Sequence, residues 1–293
     1  MRRAALGSLL GAAVALTGSV SASAQAPVPP QPGAVQLKVE SRTQLRGKPY
    51  VLRGDVVTVR GLVKPYVARQ HVRVRISTPK RKPTVVRVLV RKGGKFQVRF
   101  RTRRSVRYTV FARHDATPEQ ALFAAKLGLG VVAPGERMAI ALLKQGLRSL
   151  GYPAGNGPYD TGKLQRAILA FRKTNSLARI YTADRHIYEM VFAGRGAFKL
   201  RFPNEGKHVE ADISRQVLVL ADKGKPVATF PTSSGAPATP TILGHYHFYM
   251  KAPGTNAKGM YMSNYFIRGY AIHGYPSVPT YNASHGCLRV PNA

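Results

Sequence analysis

Ala271-Ile272-His273-Gly274, followed by Ser284-His285-Gly286-Cys287-Leu288-Arg289, is the stretch from which the rest of this sequence is best read. It contains the chain's one cysteine. Attack by a thiol on an amide needs a thiolate, a base that takes and returns its proton, and donors for the oxyanion. Cys287 and His273 supply the first two. Their separation, 287 − 273 = 14 residues, is too long for one helix face and suits a strand end with a loop that folds back. Gly274 and Gly286 leave the backbone unshielded, so the Gly274 carbonyl is placed to orient His273 and the Cys287 N–H to face an oxyanion. A lone cysteine is more often a small buried hydrophobe and a lone histidine a satisfied core or surface residue. Histidine, glycine and serine around the thiol shift the balance towards chemistry.

Upstream, residues 207–293 read as an all-β domain with long loops. Val217-Leu218-Val219-Leu220 and Val227-Ala228-Thr229-Phe230 flank Lys223-Gly224-Lys225, a hairpin signal. Tyr246, Phe248 and Met250 alternate as if on a further strand. Residues 117–196 switch to helical spacing: Pro118-Glu119-Gln120 opens a first run, Met138, Leu142, Leu147 and Leu150 share a face ending at Gly151, and Leu164, Ile168 and Phe171 follow. From Val35 to about residue 116, apolar and basic residues alternate, as in Val72-Arg73-Val74-Arg75-Ile76, with turns at Gly47-Lys48-Pro49 and Gly93-Gly94. This predicts five to seven half-buried antiparallel strands, a small Ig-like β-sandwich. Residues 27–34 are a Pro-rich linker.

Arg2 and Arg3 precede the apolar run Ala4 to Val20 and two small-residue cleavage sites, Ala22-Ser23-Ala24 and Ala24-Gln25-Ala26, so residues 1–26 read as a secretory signal. No run of eighteen apolar residues follows, and no spanning helix is expected in the mature chain. A single cysteine in an exported protein forms no internal disulfide. Charge is lopsided: 46 basic against 12 acidic residues gives +34, and residues 37–116 hold 23 Lys/Arg against 3 Asp/Glu. In an exported protein such a field points to anionic cell-wall polymers or lipid headgroups rather than to nucleic acid.

The His273-Gly274 and Ser284-His285-Gly286-Cys287-x-Arg289 positions resemble the signature of the L,D-transpeptidase (YkuD-like) catalytic domain, H-G followed by S-H-G-C-x-R. The resemblance extends over about 85 residues. Asp212-Ile213-Ser214-Arg215-Gln216 resembles that family's opening hairpin, and Ser233-Ser234-Gly235 and Thr239-Pro240-Thr241 with Gly244 resemble its S-S-G and T-P-x-G turn. The helical stretch resembles a peptidoglycan-binding module through Leu147 to Tyr152, Gly157 to Asp160 and Ala167 to Phe171, with Lys144 and Arg172 where that module carries glutamines. The resemblance implies a three-module chain: a basic sandwich at 35–116, a small helical module at 117–196 and a mainly-β transpeptidase domain at 207–293.

It further implies an exported cysteine acyltransferase that takes a stem tetrapeptide, releases its terminal D-alanine and passes the acyl group to a side-chain amine, forming a 3→3 link. Cys287 is then the nucleophile, His273 the base and later the acid, and Gly274 the group that orients His273. Ser284, His285 and Gly286 shape the oxyanion and donor site. Tyr261, Met262 and Phe266 would line the donor pocket, and Arg289 would brace the loop or take a carboxylate. No cofactor or metal is implied. The chain stops four residues after Arg289, short of the helix and strand that family members add, so a truncated domain with an open sheet edge is expected. Three rivals are a hydrolytic carboxypeptidase on the same acyl-enzyme, a zinc peptidase built on His245-x-His247, and a non-catalytic wall-binding protein.

Overall fold

The computed structural model describes residues 28–157 and 161–292. The expected signal at 1–26 and part of the Gly157 to Asp160 match lie outside these. The N-terminal third contains two sheets. β1 (Ala34–Val39), β4 (Val56–Lys64) and β7 (Lys95–Arg101) form one, in the order β1-β4-β7. β2 (Gln44–Leu45), β3 (Lys48–Leu52), β5 (His71–Ser77), β6 (Thr84–Leu89), β8 (Arg107–His114) and β9 (Phe123–Val132) form the other, in the order β2-β3-β9-β8-β5-β6. Along β4, β5 and β8 every second side chain is buried. Val57, Val59, Val72, Val74, Val110 and Phe96 thereby meet in one core shared by both sheets, as period-two alternation requires. The Pro-rich segment is tied down at its end, where Gln31 exchanges main-chain bonds with Glu119 and Ala121.

The sheet-forming region runs past residue 116. Pro118-Glu119-Gln120 opens no helix, and Phe123–Val132 is a strand paired with β8 over eight residues and parallel to β3. Gly128 and Gly130 disfavour a helix here, and the Gly130 α-carbon lies beneath the Tyr50 ring, where a β-carbon would collide. Buried Gln120 donates to the Pro65 carbonyl at 2.7 Å.

Helices then follow: α1 (Arg137–Ser149), α2 (Thr161–Thr174) and α3 (Arg185–Phe192). Leu142, Leu143, Leu147, Phe171, Ile187 and Val191 form their core together with Leu52 and Val132 from the sheet. Met138, expected on the inner face, is 41% exposed, and Ala139 is buried instead. Asp184 caps α3 by accepting from the Ile187 N–H at 3.0 Å. The two departures from the glutamine pattern are both buried cations with partners. Lys144 donates to the Gly157 carbonyl at 2.6 Å, and Arg172 to the Thr182 carbonyl at 2.8 Å and to Asp184 at 2.7 Å.

β10 (His208–Asp212), β11 (Val217–Asp222) and β12 (Lys225–Pro231) form an antiparallel sheet against which α2 packs. The β11–β12 turn is the expected one, with Lys223 and Gly224 both at positive φ, the geometry that matches strand twist in a two-residue hairpin. β13 (Met250–Thr255), β14 (Tyr261–Ile267), β15 (Tyr270–Tyr275) and β16 (Leu288–Pro291) make a sheet in that order. Of the alternation Tyr246-Phe248-Met250 only Met250 lies in a strand, so His245 and His247 stand in irregular chain. No helix among the described residues is long and apolar enough to cross a membrane.

Candidate active site

The site forms where β16 runs parallel to β15. His273 is opposite Arg289 and Ile272 opposite Leu288, so Cys287, one residue before β16, comes to the strand that carries His273. Parallel neighbours need a long crossover, and residues 276–287 supply it, which accounts for the spacing read from sequence.

His273 is 3% exposed, and its Nδ1 lies 2.9 Å from the Gly274 carbonyl. That contact is a hydrogen bond only when Nδ1 carries the proton, which leaves Nε2 with its lone pair. Burial holds the imidazole pKa below its ordinary value, and the nearby Arg289 cation adds to this against the opposing pull of the Gly274 carbonyl. Both lowering effects favour the neutral form of the ring. Arg289 stacks its guanidinium over Tyr275 at 4.5 Å from the ring centre, and Tyr275 meets His273 edge-on at 5.8 Å.

The Cys287 sulfur is partly exposed and sits over the start of β15. It accepts from the Ala271 N–H at 3.4 Å and lies 3.8 Å from the Gly269 carbonyl. No hydrogen bond joins it to His273 among the described residues; Cys287 immediately precedes the strand that adjoins the one carrying His273. The Cys287 N–H has no partner among the described residues.

The loop before Cys287 is held by the predicted site residue Ser284 and by further groups that the sequence did not mark as site residues. Ser284, buried, donates through its hydroxyl to the Cys287 carbonyl and accepts the Gly286 N–H at 3.1 Å. Thr241 donates to the Gly286 carbonyl at 2.7 Å and accepts the Gly235 N–H at 2.9 Å. Thr239 donates to the Ser284 carbonyl at 3.1 Å. Ser233 exchanges main-chain bonds with Arg289, and the Thr232 hydroxyl donates to the Arg289 carbonyl at 2.7 Å. Buried Gln216 accepts from the Ser234 N–H at 2.9 Å and donates to the Ser234 hydroxyl at 2.7 Å, linking the opening hairpin to this frame. The S-S-G and T-P-T motifs are thus the clamp of the loop that carries Cys287.

Gly286 is buried at φ +109°, and a β-carbon there would run into the Tyr270 ring. His285 is exposed. Tyr261 lies over Gly274, its partner in the β14–β15 register. Phe266 joins Tyr246 and Tyr270 in a run of rings 5.4 and 6.5 Å apart, while Met262 is exposed near the Gly254 N–H. Among the described residues no three His, Cys, Asp or Glu side chains group as a metal site, and His245 packs edge-on against Phe202.

The family model of the L,D-transpeptidase (YkuD) catalytic domain matches residues 206–293. The crystal structure of an L,D-transpeptidase from Xylanimonas cellulosilytica is 31% identical, with a TM-score of 0.50, and the match covers 54% of this chain and 84% of that one. The chain belongs to the L,D-transpeptidase family. The catalytic domain of an L,D-transpeptidase from Enterococcus faecium is 25% identical over 30% of this chain and 82% of that one, with a TM-score of 0.26. An L,D-transpeptidase from Mycobacterium smegmatis is 13% identical over 89% and 90%, also with a TM-score of 0.26. No curated protein matches the chain. L,D-transpeptidase domains are acyltransferases that act on peptidoglycan stem peptides, and the family is associated with the cell wall.

Proposed function

We propose that this L,D-transpeptidase forms 3→3 stem-peptide cross-links through a thioester on Cys287. The observation that carries the reading is the parallel register of β15 and β16, which brings a partly exposed thiol to the strand of a buried, neutral imidazole. The Ala271 N–H directed at the sulfur favours negative charge there.

Rotation of the Cys287 side chain about its first torsion brings the sulfur towards His273 as the donor tetrapeptide enters. Catalytic contacts are commonly loose before substrate binds. Nε2 of His273 takes the thiol proton, and the thiolate attacks the carbonyl carbon of the third stem residue. The carbonyl electron pair moves onto oxygen, which accepts from the Cys287 N–H. As the C–N bond breaks, His273 returns the proton to the nitrogen of the departing D-alanine. The acceptor amine then attacks the thioester, loses its proton to His273 and forms the new amide, while the thiolate leaves and is reprotonated. Gly274 keeps His273 in the required tautomer, and Ser284, His285 and Gly286 shape the oxyanion side. Tyr261, Met262 and Phe266 line the donor groove, and Arg289 braces the loop. The protein acts outside the cytoplasm, and its excess of cations suits it to a wall rich in anionic polymers.

Incubation with a disaccharide-tetrapeptide, followed by intact-mass analysis, tests this. The expected result is an adduct on Cys287 with loss of D-alanine and then a cross-linked dimer. Tripeptide without dimer would instead mark a carboxypeptidase, and no adduct in folded protein would end the thioester reading.

A further inference from the structure

The outer face of the six-stranded sheet places like charges side by side. Arg73 on β5 is directly opposite Arg87 on β6 and Arg113 on β8, and all three are exposed. In the next row Arg75 faces Val85 and Phe111, and Phe111 faces Lys126. The β5–β6 connection extends the field with Lys80, Arg81 and Lys82, again exposed. Asp115 bridges Arg73 at 2.6 Å and Arg113 at 2.9 Å. Arg75, Arg87 and Lys126 have no ion pair among the described residues.

Like charges directly opposite each other weaken a sheet. The core does not demand them either, since it is built from the alternate residues Val72, Val74 and Val110. Beside the row opens a cleft of about 420 Å³, whose lining sets Arg69, Arg73 and Arg87 beside the carboxylates Asp115 and Glu119. The outer face of the smaller sheet is basic but differently spaced. There Arg60 pairs with Glu40, while Arg99 and Arg101 face Thr58 and Val56.

We propose that the β5–β6–β8 face is a docking surface for a polymer of phosphodiester-linked units, holding the enzyme against the wall; this rests on the reading that the protein works there. Neighbouring strands lie about 4.8 Å apart. A phosphodiester turns its two free oxygens to either side of its chain, so guanidinium groups of adjacent strands each take one. Arginine's planar fork suits that contact better than a lysine. Release of the polymer's counterions supplies much of the affinity and makes it salt-dependent.

The test uses the whole chain and labelled poly(glycerol phosphate). Replacing Arg75, Arg87 and Lys126 by Gln together is expected to weaken binding about tenfold in low salt and flatten its salt dependence, whereas Lys95, Arg99 and Arg101 changed to Gln leave affinity within about twofold. The first variant keeps or gains thermal stability, because repulsion within the face is relieved. Unchanged binding in it, or an equal loss in the second variant, overturns the proposal. So does equal binding of polygalacturonate, or face-dependent binding of anionic phospholipid vesicles without binding of the polymer. Acylation of Cys287, measured on the same samples, reports separately on the catalytic reading.

Discussion

Nζ of Lys173 donates to the main-chain carbonyl of Thr232 at 2.9 Å from a side chain that is 1% exposed. The amine of an α2 lysine is thereby buried against the segment that clamps β16, with no carboxylate partner among the described residues. Burial, with repulsion from Arg179, pulls its pKa from 10.5 to about 7. Between these values the unfolded chain binds the proton and the folded chain does not, so this group's contribution to stability grows as pH rises from about 7 towards 10.5 and is lost as pH falls through about 7. The stability of the wild type relative to Lys173→Met should therefore rise across that interval. Denaturant titrations of both proteins at several pH values check it; a difference constant with pH would refute the buried-amine account.

Arg289 sits near enough to His273 to hold its proton affinity down, second to the effect of burial among the causes that lower it. In the proposed mechanism the neutral ring is the base, so the acid limb of Cys287 acylation is expected below the ordinary histidine value of 6.5. In Arg289→Gln that limb should move to higher pH, read from acylation rates across the acid range. A limb that stays in place, or moves down, contradicts the electrostatic link.

Gly286 combines φ +109° with contact against Tyr270. Gly286→Ala should cost about 1–3 kcal/mol of stability, from left-handed strain and from the displaced ring. Adding Tyr270→Ala should relieve only the steric part. Equal stability of Gly286→Ala and wild type in urea titration would show that the loop relaxes freely.

Thr241 serves two main-chain groups with one hydroxyl. Thr241→Val leaves both without a partner and should lower stability by about 1–3 kcal/mol, and it should slow acylation because Gly286 directly precedes Cys287. Thr241→Ser keeps the hydroxyl and is expected to behave nearly as wild type. Indistinguishable Ser and Val variants would remove Thr241 from the clamp.

The spacing of His273 and Cys287 foretold a strand and a returning loop, and β15 and β16 realise it as a parallel pair. The sequence also foretold the Lys223-Gly224 turn and the alternating strands β4, β5 and β7, because each depends on neighbours a few residues away. The stretch at Phe123–Val132 was misread, since its strand character depends on pairing with β8 and on the Tyr50 ring over Gly130. Met138 fell outside the core for a related reason: periodicity marks a helix face, but the packing of α1 against α3 selects which residues on it are covered.

Alone, the sequence determined the family resemblance and the candidate residues Cys287 and His273, because reactive side chains and turn-forming backbones are properties of single residues and short spacings. Only the tertiary structure decided that Thr239 and Thr241 grip the loop, that Gln216 ties the opening hairpin to Ser234, that Lys173 is buried against Thr232, and that three arginines form one row. Those outcomes depend on which distant segments become neighbours, and on how much water their approach removes from a charge or a hydrogen-bonding group.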